Sequence, residues 1–279
     1  MADFLINSEP IVRLFVFGCV FAAMACWEFM APRRGQSISR AHRWPGNLAV
    51  VVVDSLVVRI LFPLGAVGLA LACEAQGWGM LNAWPVPFWL AVPLAVVLLD
   101  LVIYLQHVLF HAVPGLWRLH RMHHSDQEFD VTTGARFHPI EIVLSMIIKL
   151  TVIAALGAPA LAVLLFEVLL NATAMFNHSN VRIPIGIDKV LRWFVVTPDM
   201  HRVHHSIIVR ETNSNFGFNL PWWDRLFGTY RDQPERGHDD MVIGIEAFRE
   251  PGEQRLDRML SQPFRSGDDK YAIGTRHEE

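Results

Sequence analysis

The string His120-Arg121-Met122-His123-His124-Ser125 returns about eighty positions later as His201-Arg202-Val203-His204-His205-Ser206. On a helix the first histidine of each copy stands over the fifth residue with the fourth beside them, so three imidazoles leave one face together and make a metal half-site. His107 and His111 stand at i and i+4 at the end of an apolar run, and His178 follows another. Nine histidines exceed what one metal uses, and two metals is the economical reading. Packing has no need for clustered imidazoles, which are poor helix-interior residues without partners. Neutral imidazoles suit zinc, copper or iron, so ligand type alone leaves the metal open. His107-Val108-Leu109-Phe110-His111 has the spacing of a zinc protease helix, but Val108 stands where such an enzyme keeps its general-base Glu. That argues against hydrolysis by this route. A redox pair at a lipid edge would serve O2 activation and attack on an unactivated C–H bond.

Local signals place these residues on helices. Pro114 and Gly115 break the chain after His111, so a new helix begins near Leu116 and carries His120, His123 and His124. Thr197-Pro198-Asp199 reads as a helix start, with Thr as N-cap and Pro at the first helical position, which puts His201, His204 and His205 in the opening turns. Asp126, Glu128, Asp130 and Glu211 follow the two boxes as solvated loop residues or as acceptors for the outer ring nitrogens of ligating histidines. Asp100, two turns before His107, is either such a supporting acceptor or a hydrogen-bond partner inside a helix bundle. His138, in Phe137-His138-Pro139, is expected beside the site as a hydrogen-bond donor rather than as a ligand. His42, His238 and His277 have no ligand spacing and read as ordinary loop histidines.

The elements that carry this cluster belong in a membrane. Of 279 residues 52% are hydrophobic and 18% charged, and the mean hydropathy is +0.30, more apolar than soluble domains. The net charge of -3 and the lack of a basic tract leave no surface for nucleic acid. Cys19, Cys26 and Cys73 lie in apolar runs without CxxC spacing and read as small core residues. Apolar spans are expected at Ile11 to Met30, Leu48 to Cys73 with its early part interfacial, Pro85 to Phe110, and Ile140 to Phe176. Gly157-Ala158-Pro159 breaks the last into a hairpin that either crosses twice or dips in and returns. Lys149 and Glu167 lie nine residues on either side of Ala158, at one depth, and are expected to pair. Arg33, Arg34, Arg40 and Arg43 fill the first loop and Arg118, Arg121 and Arg136 follow the third span, whereas residues 1–10, 74–84 and 157–159 hold no Lys or Arg. The positive-inside rule then puts the amino terminus outside and every histidine box in the cytoplasm.

The ordered series HVLFH, HRMHH, NHSN and HRVHH, with FDVTTGARFHP and ETNSNFGFNLPWWDRLFGTY, resembles the fatty acid hydroxylase and sterol desaturase superfamily of integral membrane diiron enzymes over residues 85–231. The resemblance implies an all-α integral membrane fold, a transmembrane helix bundle with a helical cytoplasmic cap carrying a histidine-rich dimetal site. It also implies O2-dependent hydroxylation or desaturation of a lipid drawn from the bilayer. The ligands it implies for two iron ions, with zinc as a possible substitute, are His107, His111, His120, His123, His124, His178, His201, His204 and His205. Some relatives have a second histidine four positions after His178, where this chain has Arg182. Residues 1–84 are then membrane helices and loops before this unit, and 232–279 a polar carboxyl-terminal tail whose last fifteen or so residues are mobile. With no dinucleotide fingerprint and no cysteine set for an iron-sulfur cluster, the electrons must come from a separate donor protein. Two other classes compete: a zinc-dependent membrane hydrolase and a non-enzymatic metal-handling membrane protein. Ligands at span ends rather than at the midplane disfavour transport.

Overall fold

The computed structural model describes residues 2–84, 86–267 and 269–275, so Pro85, His277 and Glu279 lie outside the described residues. The chain is all-helical there, with two isolated antiparallel bridges, Pro32 with Val181 and Ser206 with Ile243, as its extended pairings. A short α1 (Ala2–Asn7) leads into α2 (Glu9–Met30), then α3 (Arg40–Leu61), α4 (Gly65–Gln76), the single turn α5 (Met80–Ala83) and α6 (Phe88–Ala112). After α7 (Pro114–His124) come the hairpin helices α8 (Pro139–Leu156) and α9 (Ala160–Asn177). Short helices follow: α10 (Ile185–Leu191), α11 (Pro198–His204), α12 (Val209–Thr212), α13 (Trp222–Leu226), α14 (Gly237–Asp240) and α15 (Leu256–Ser261).

Five stretches are long and apolar enough to cross a membrane: α2, the α3-to-α5 stretch, α6, α8 and α9. Their outward faces carry large apolar residues, with Leu14 73% and Ile60 75% exposed, the inverse of a water-soluble surface. The protein is therefore a multi-pass membrane protein. Helix α9 is the hub, packed by α1, α2, α4 and α6. The expected span from Leu48 to Cys73 is instead two helices, because Pro63 removes a backbone donor and Gly65 takes a left-handed φ of +66°. Arg43 and Asn47, just before its start, and Asp54 within it are buried against the rest of the protein.

The hairpin runs the full depth of the bundle. Each arm has 18 residues, about 27 Å of helix. Its tip meets the loop joining α4 to α6 so closely that a Cβ on Gly79 would lie 2.1 Å from the Gly157 backbone nitrogen. At the opposite ends of α6 and α9 the chain folds into a cap of short helices, so the carboxyl ends of both long helices enter the cap. The loop after α7 is fastened to α3 by buried ion pairs from Arg43 to Asp126 (2.7 Å) and Asp130 (2.6 Å) and by Arg136 donating to Asn47 Oδ1 (3.2 Å), while Arg136 also ties it to the end of α7 by donating to the Met122 carbonyl (2.9 Å) and Ser125 Oγ (2.8 Å).

Residues 241–267 and 269–272 do not form a tail. Met241, Ile243, Ile245, Met259, Tyr271 and Ala272 are buried, Tyr271 stacks on Trp117 at 5.7 Å, and the Ile273 and Gly274 amides donate to the His111 and Ala112 carbonyls at 2.9 and 3.0 Å. The segment thus satisfies carbonyls that the end of α6 leaves open. Its polar composition hid this because the apolar residues are buried singly rather than in a periodic run.

Candidate metal centre

The nine histidines predicted as ligands are buried together and separate into two groups. His107, His111, His120, His124 and His204 form one, and His123, His178, His201 and His205 the other; within each group the ligand atoms lie within 4.8 Å of one another. The i, i+4 pairs stay together, 107 with 111, 120 with 124, 201 with 205, while the middle histidine of each triplet crosses to the opposite group. A triplet is thus not a half-site. Each box contributes to both groups, because on a helix i and i+4 share a face and i+3 is rotated away from i+4. Arg182, where some relatives have histidine, is exposed and the second group has four imidazoles.

Short elements aim these rings. Pro114 starts α7 directly after α6, at the expected break, and two residues earlier than Leu116. Thr197 caps α11 by accepting from the Met200 amide, and Pro198 is its first residue. The loop 126–138 passes so close to α9 that a Cβ on Gly134 would sit 2.6 Å from the Ala174 carbonyl and 3.1 Å from His178 Nδ1, which explains the glycine of Thr132-Thr133-Gly134-Ala135. Phe137 stacks flat on His123 at 4.4 Å.

The outer nitrogens of five rings fix their tautomers. Nδ1 of His107 donates to the Phe216 carbonyl (2.8 Å), of His204 to Ser214 O (2.7 Å), of His178 to Ala174 O (2.8 Å), and of His120 to Glu141 Oε1 (2.7 Å). His111 Nδ1 donates to Asn213 Oδ1 (3.0 Å), whose amide nitrogen is committed to the Tyr271 carbonyl. Burial keeps the rings neutral: His120 and His178 are pushed down to about 3, and His123, His124, His201, His204 and His205 well below 6.5 by burial and then by neighbouring imidazoles. A neutral ring has one proton, so once Nδ1 holds it Nε2 is a bare lone pair.

Between His107 and His120 two such lone pairs face each other, and in each of the other close pairs one ring, His111 or His178, presents its lone pair to the partner's Nε2. Nε2 separations are 3.1 Å for His107–His120, 3.2 Å for His111–His124, 3.2 Å for His123–His178 and 3.1 Å for His178–His201. His204 Nε2 and both nitrogens of His205 are buried without a partner. Facing lone pairs repel unless a cation lies between them. Two nitrogens held at right angles about 2.1 Å from one metal stand about 3.0 Å apart, so the donor set fits a metal ion in each group.

The acids read as solvated loop residues or as supports for the rings are buried and do other work. Asp126 and Asp130 hold Arg43; Glu128 accepts from Ser37 and the Ile38 amide; Glu211 accepts from the Glu235 amide. Asp100 touches no ligand. It accepts from the Trp223 indole (2.8 Å) and the Leu220 amide (3.3 Å), the bundle-interior role. His138 is no donor to the site: its Nδ1 accepts from the Ile140 amide (3.1 Å) and caps α8, the helix that carries Glu141. His42, in the first turn of α3, bonds the Pro251 carbonyl, and His238 is buried near Asp199 at 3.7 Å, pushed down to about 4 by burial.

Sequence reasoning missed Glu141 and Asn213. Glu141 carried a signal, an acid at the start of an apolar helix. Loop 213–218 explains the phrase ETNSNFGFN: it supplies Asn213 Oδ1 and the Ser214 and Phe216 carbonyls to three ligands. Asp224 holds that loop by accepting from the Phe216 and Gly217 amides and Thr229 Oγ1, and burial raises it to about 6. Asn215, at φ +53°, ties it to the Met200 and Arg231 carbonyls.

A cavity of about 240 Å3 adjoins the first group. His107 and His120 form part of its wall, Ile103, Phe110, Phe137 and Phe218 much of the rest, and exposed Ser55 and Asn171 border it on the flanks of α3 and α9. It therefore reaches the surface at the level of the spans.

A family model described as fatty acid hydroxylase matches residues 92–229. The chain belongs to the fatty acid hydroxylase superfamily. It is 32% identical over 211 residues to ornithine lipid hydroxylase OlsE of Rhizobium tropici, covering 75% of this chain and 60% of that protein. It is 29% identical over 146 residues to an alkylglycerol monooxygenase of Xenopus tropicalis, covering 52% and 31%. To cholesterol 25-hydroxylase of Rattus norvegicus it is 26% identical over 166 residues, covering 58% and 53%. The chain thus spans from about a third to three-fifths of these relatives' own lengths. No solved structure matches. This member of the superfamily keeps all nine box histidines within the two buried groups.

Proposed function

We propose that this protein is an O2-dependent membrane lipid oxygenase that binds one iron in each imidazole group and hydroxylates or desaturates a lipid entering from the bilayer. The observation that carries this is the wall shared by the first imidazole group and a span-level cavity, at His107 and His120. The hydroxylase and monooxygenase names of the relatives support it. Bound iron supplies reduction of O2, so that R–H, O2, two electrons and two protons give R–OH and water, or two hydrogens leave the chain and two waters form. The residues of this chain hold five of the rings in one tautomer, exclude water with Phe110, Phe137 and Phe218, and present an apolar substrate to the metal face. Whether the sterol desaturase type describes the outcome depends on the lipid. We assign the electrons to a separate donor protein, and the cap to the cytoplasm with the amino terminus outside.

Protein made in iron-supplemented cells should hold close to two irons per chain and consume O2 only with both reductant and lipid. His123→Ala and His204→Ala should each lower bound metal and abolish oxidation; His42→Ala, an exposed position, should change neither. Glu141 Oε2, buried without a partner, is a carboxylate oxygen beside His120 that a zinc-dependent hydrolase could use as base. Iron-loaded protein inert to O2 with reductant and a broad lipid mixture, together with ester or amide hydrolysis by the zinc form, would replace the oxygenase by that hydrolase.

A further inference from the structure

The cavity is largely apolar, and three acceptors on residues that line it are unmet. Asp54 Oδ1, Gln106 Oε1 and Glu141 Oε2 are buried with no hydrogen-bond partner, and all three residues line the cavity. Gln106 cannot turn its amide to relieve this, because Nε2 already donates to Ser145 Oγ at 2.9 Å. Glu141 has one oxygen occupied by His120, which explains why it is there. Nothing in the metal centre explains Asp54. It sits on α3, outside the stretch the family model matches, is 9% exposed, and has no hydrogen bond or ion pair among the described residues. No Lys or Arg lines the cavity.

A buried acceptor left without a donor is destabilising, and a carboxylate at span depth is more so. Three such oxygens on residues lining one cavity make it complementary to an occupant that brings donors. A hydrocarbon segment would satisfy none of them.

We propose that the cavity selects lipids bearing a hydrogen-bond-donating group, a hydroxyl or an amine, which Asp54 and Gln106 receive while the neighbouring carbons lie against His107 and His120. The selected group is not the one oxidised; it fixes the register of the chain. This rests on the oxygenase reading for what then happens to the chain, but the binding itself needs no turnover.

Binding is therefore the readout. Full-length, zinc-loaded protein in detergent is equilibrated with hexadecane, 1-hexadecanol or hexadecylamine at equal mole fraction, re-isolated, and the retained probe measured by mass spectrometry. The alcohol or the amine should be retained about tenfold over hexadecane, the equivalent of one good hydrogen bond. Asp54→Leu and Gln106→Leu should each reduce that preference severalfold at unchanged metal content and unchanged hexadecane retention. Should Asp54→Leu not fold, Asp54→Asn keeps the shape and should reduce the donor preference severalfold in the same way; whether the wild type retains the alcohol or the amine better identifies the group as a hydroxyl or an amine. Equal retention of the three probes by the wild type, or a donor preference that survives in Asp54→Leu and Asp54→Asn, would overturn the proposal. Inertness toward O2 would sink the oxygenase and leave this selectivity standing.

Discussion

At the scale of single residues, the arrangement turns on where each imidazole puts its one proton. Glu141 is the only side-chain carboxylate among the described residues seen to take an Nδ1 proton from a ligand, His120. A charged acceptor makes Nε2 a better donor to a metal than a carbonyl does. Glu141→Gln should weaken metal binding in the five-histidine group about tenfold, and Glu141→Leu toward about a hundredfold, while the four-histidine group keeps its metal. Chelator competition on the two variants measures this, and equal loss from both groups would show that Glu141 acts on the fold rather than on His120. The ligand positions were legible because clustered histidines at helical spacing have few other uses. Their division into two groups was not, since it depends on how α6, α7, α9 and α11 cross. Nor were most of their supports: the carbonyls of Ala174, Ser214 and Phe216 carry no signature in a sequence.

Among elements, the hairpin shows what depth alone predicts and what it omits. Counting nine residues from Ala158 places Lys149 beside Glu167, and the ion pair is present. The count is silent on α2, which adds Arg13 to the other Glu167 oxygen at 2.7 Å, with Glu9 on the same guanidinium at 2.8 Å. Glu167 is thus shared by two cations, and single replacements should not be equivalent. Glu167→Leu strands Lys149 and leaves Arg13 to Glu9, a loss of about 3 kcal/mol. Lys149→Met leaves Glu167 with Arg13, whose side chain is 36% exposed, and should cost about 1 kcal/mol. Adding Lys149→Met to Glu167→Leu should restore part of the loss. Unfolding in detergent of the two singles and the double decides it: equal, additive losses would mean the three charges do not act as one network. The same limit applies to the other helices. Apolar runs and the Gly157-Ala158-Pro159 stop mark spans, but Pro63 and Gly65 divide one run that composition reads as continuous.

For the whole molecule, every histidine box lies at one end of the bundle, and the loops at the other end, 77–79 and 157–159, meet through Gly79 and Gly157. The basic residues are distributed unequally between those ends: none in 74–84 or 157–159, several in the loop after α2 and around α7. Three of the arginines behind the positive-inside argument, Arg43, Arg121 and Arg136, are fully buried in the folded cap. Their charge still acts on topology, which is set as the chain inserts, before the cap closes over them. Labelling sites must therefore be chosen from the folded structure. Ala83, exposed at the far loop, and Asp257, with a side chain 62% exposed on α15, meet that need; Ser125, buried beside Gln262, does not. In a background with Cys19, Cys26 and Cys73 replaced, Ala83→Cys should react with a membrane-impermeant maleimide in intact cells and Asp257→Cys only after permeabilisation. Labelling of both from one side would contradict the bundle itself. The reverse pattern would put the metal centre outside, where a cytoplasmic electron donor could not reach it, and the proposed source of electrons would have to change with it.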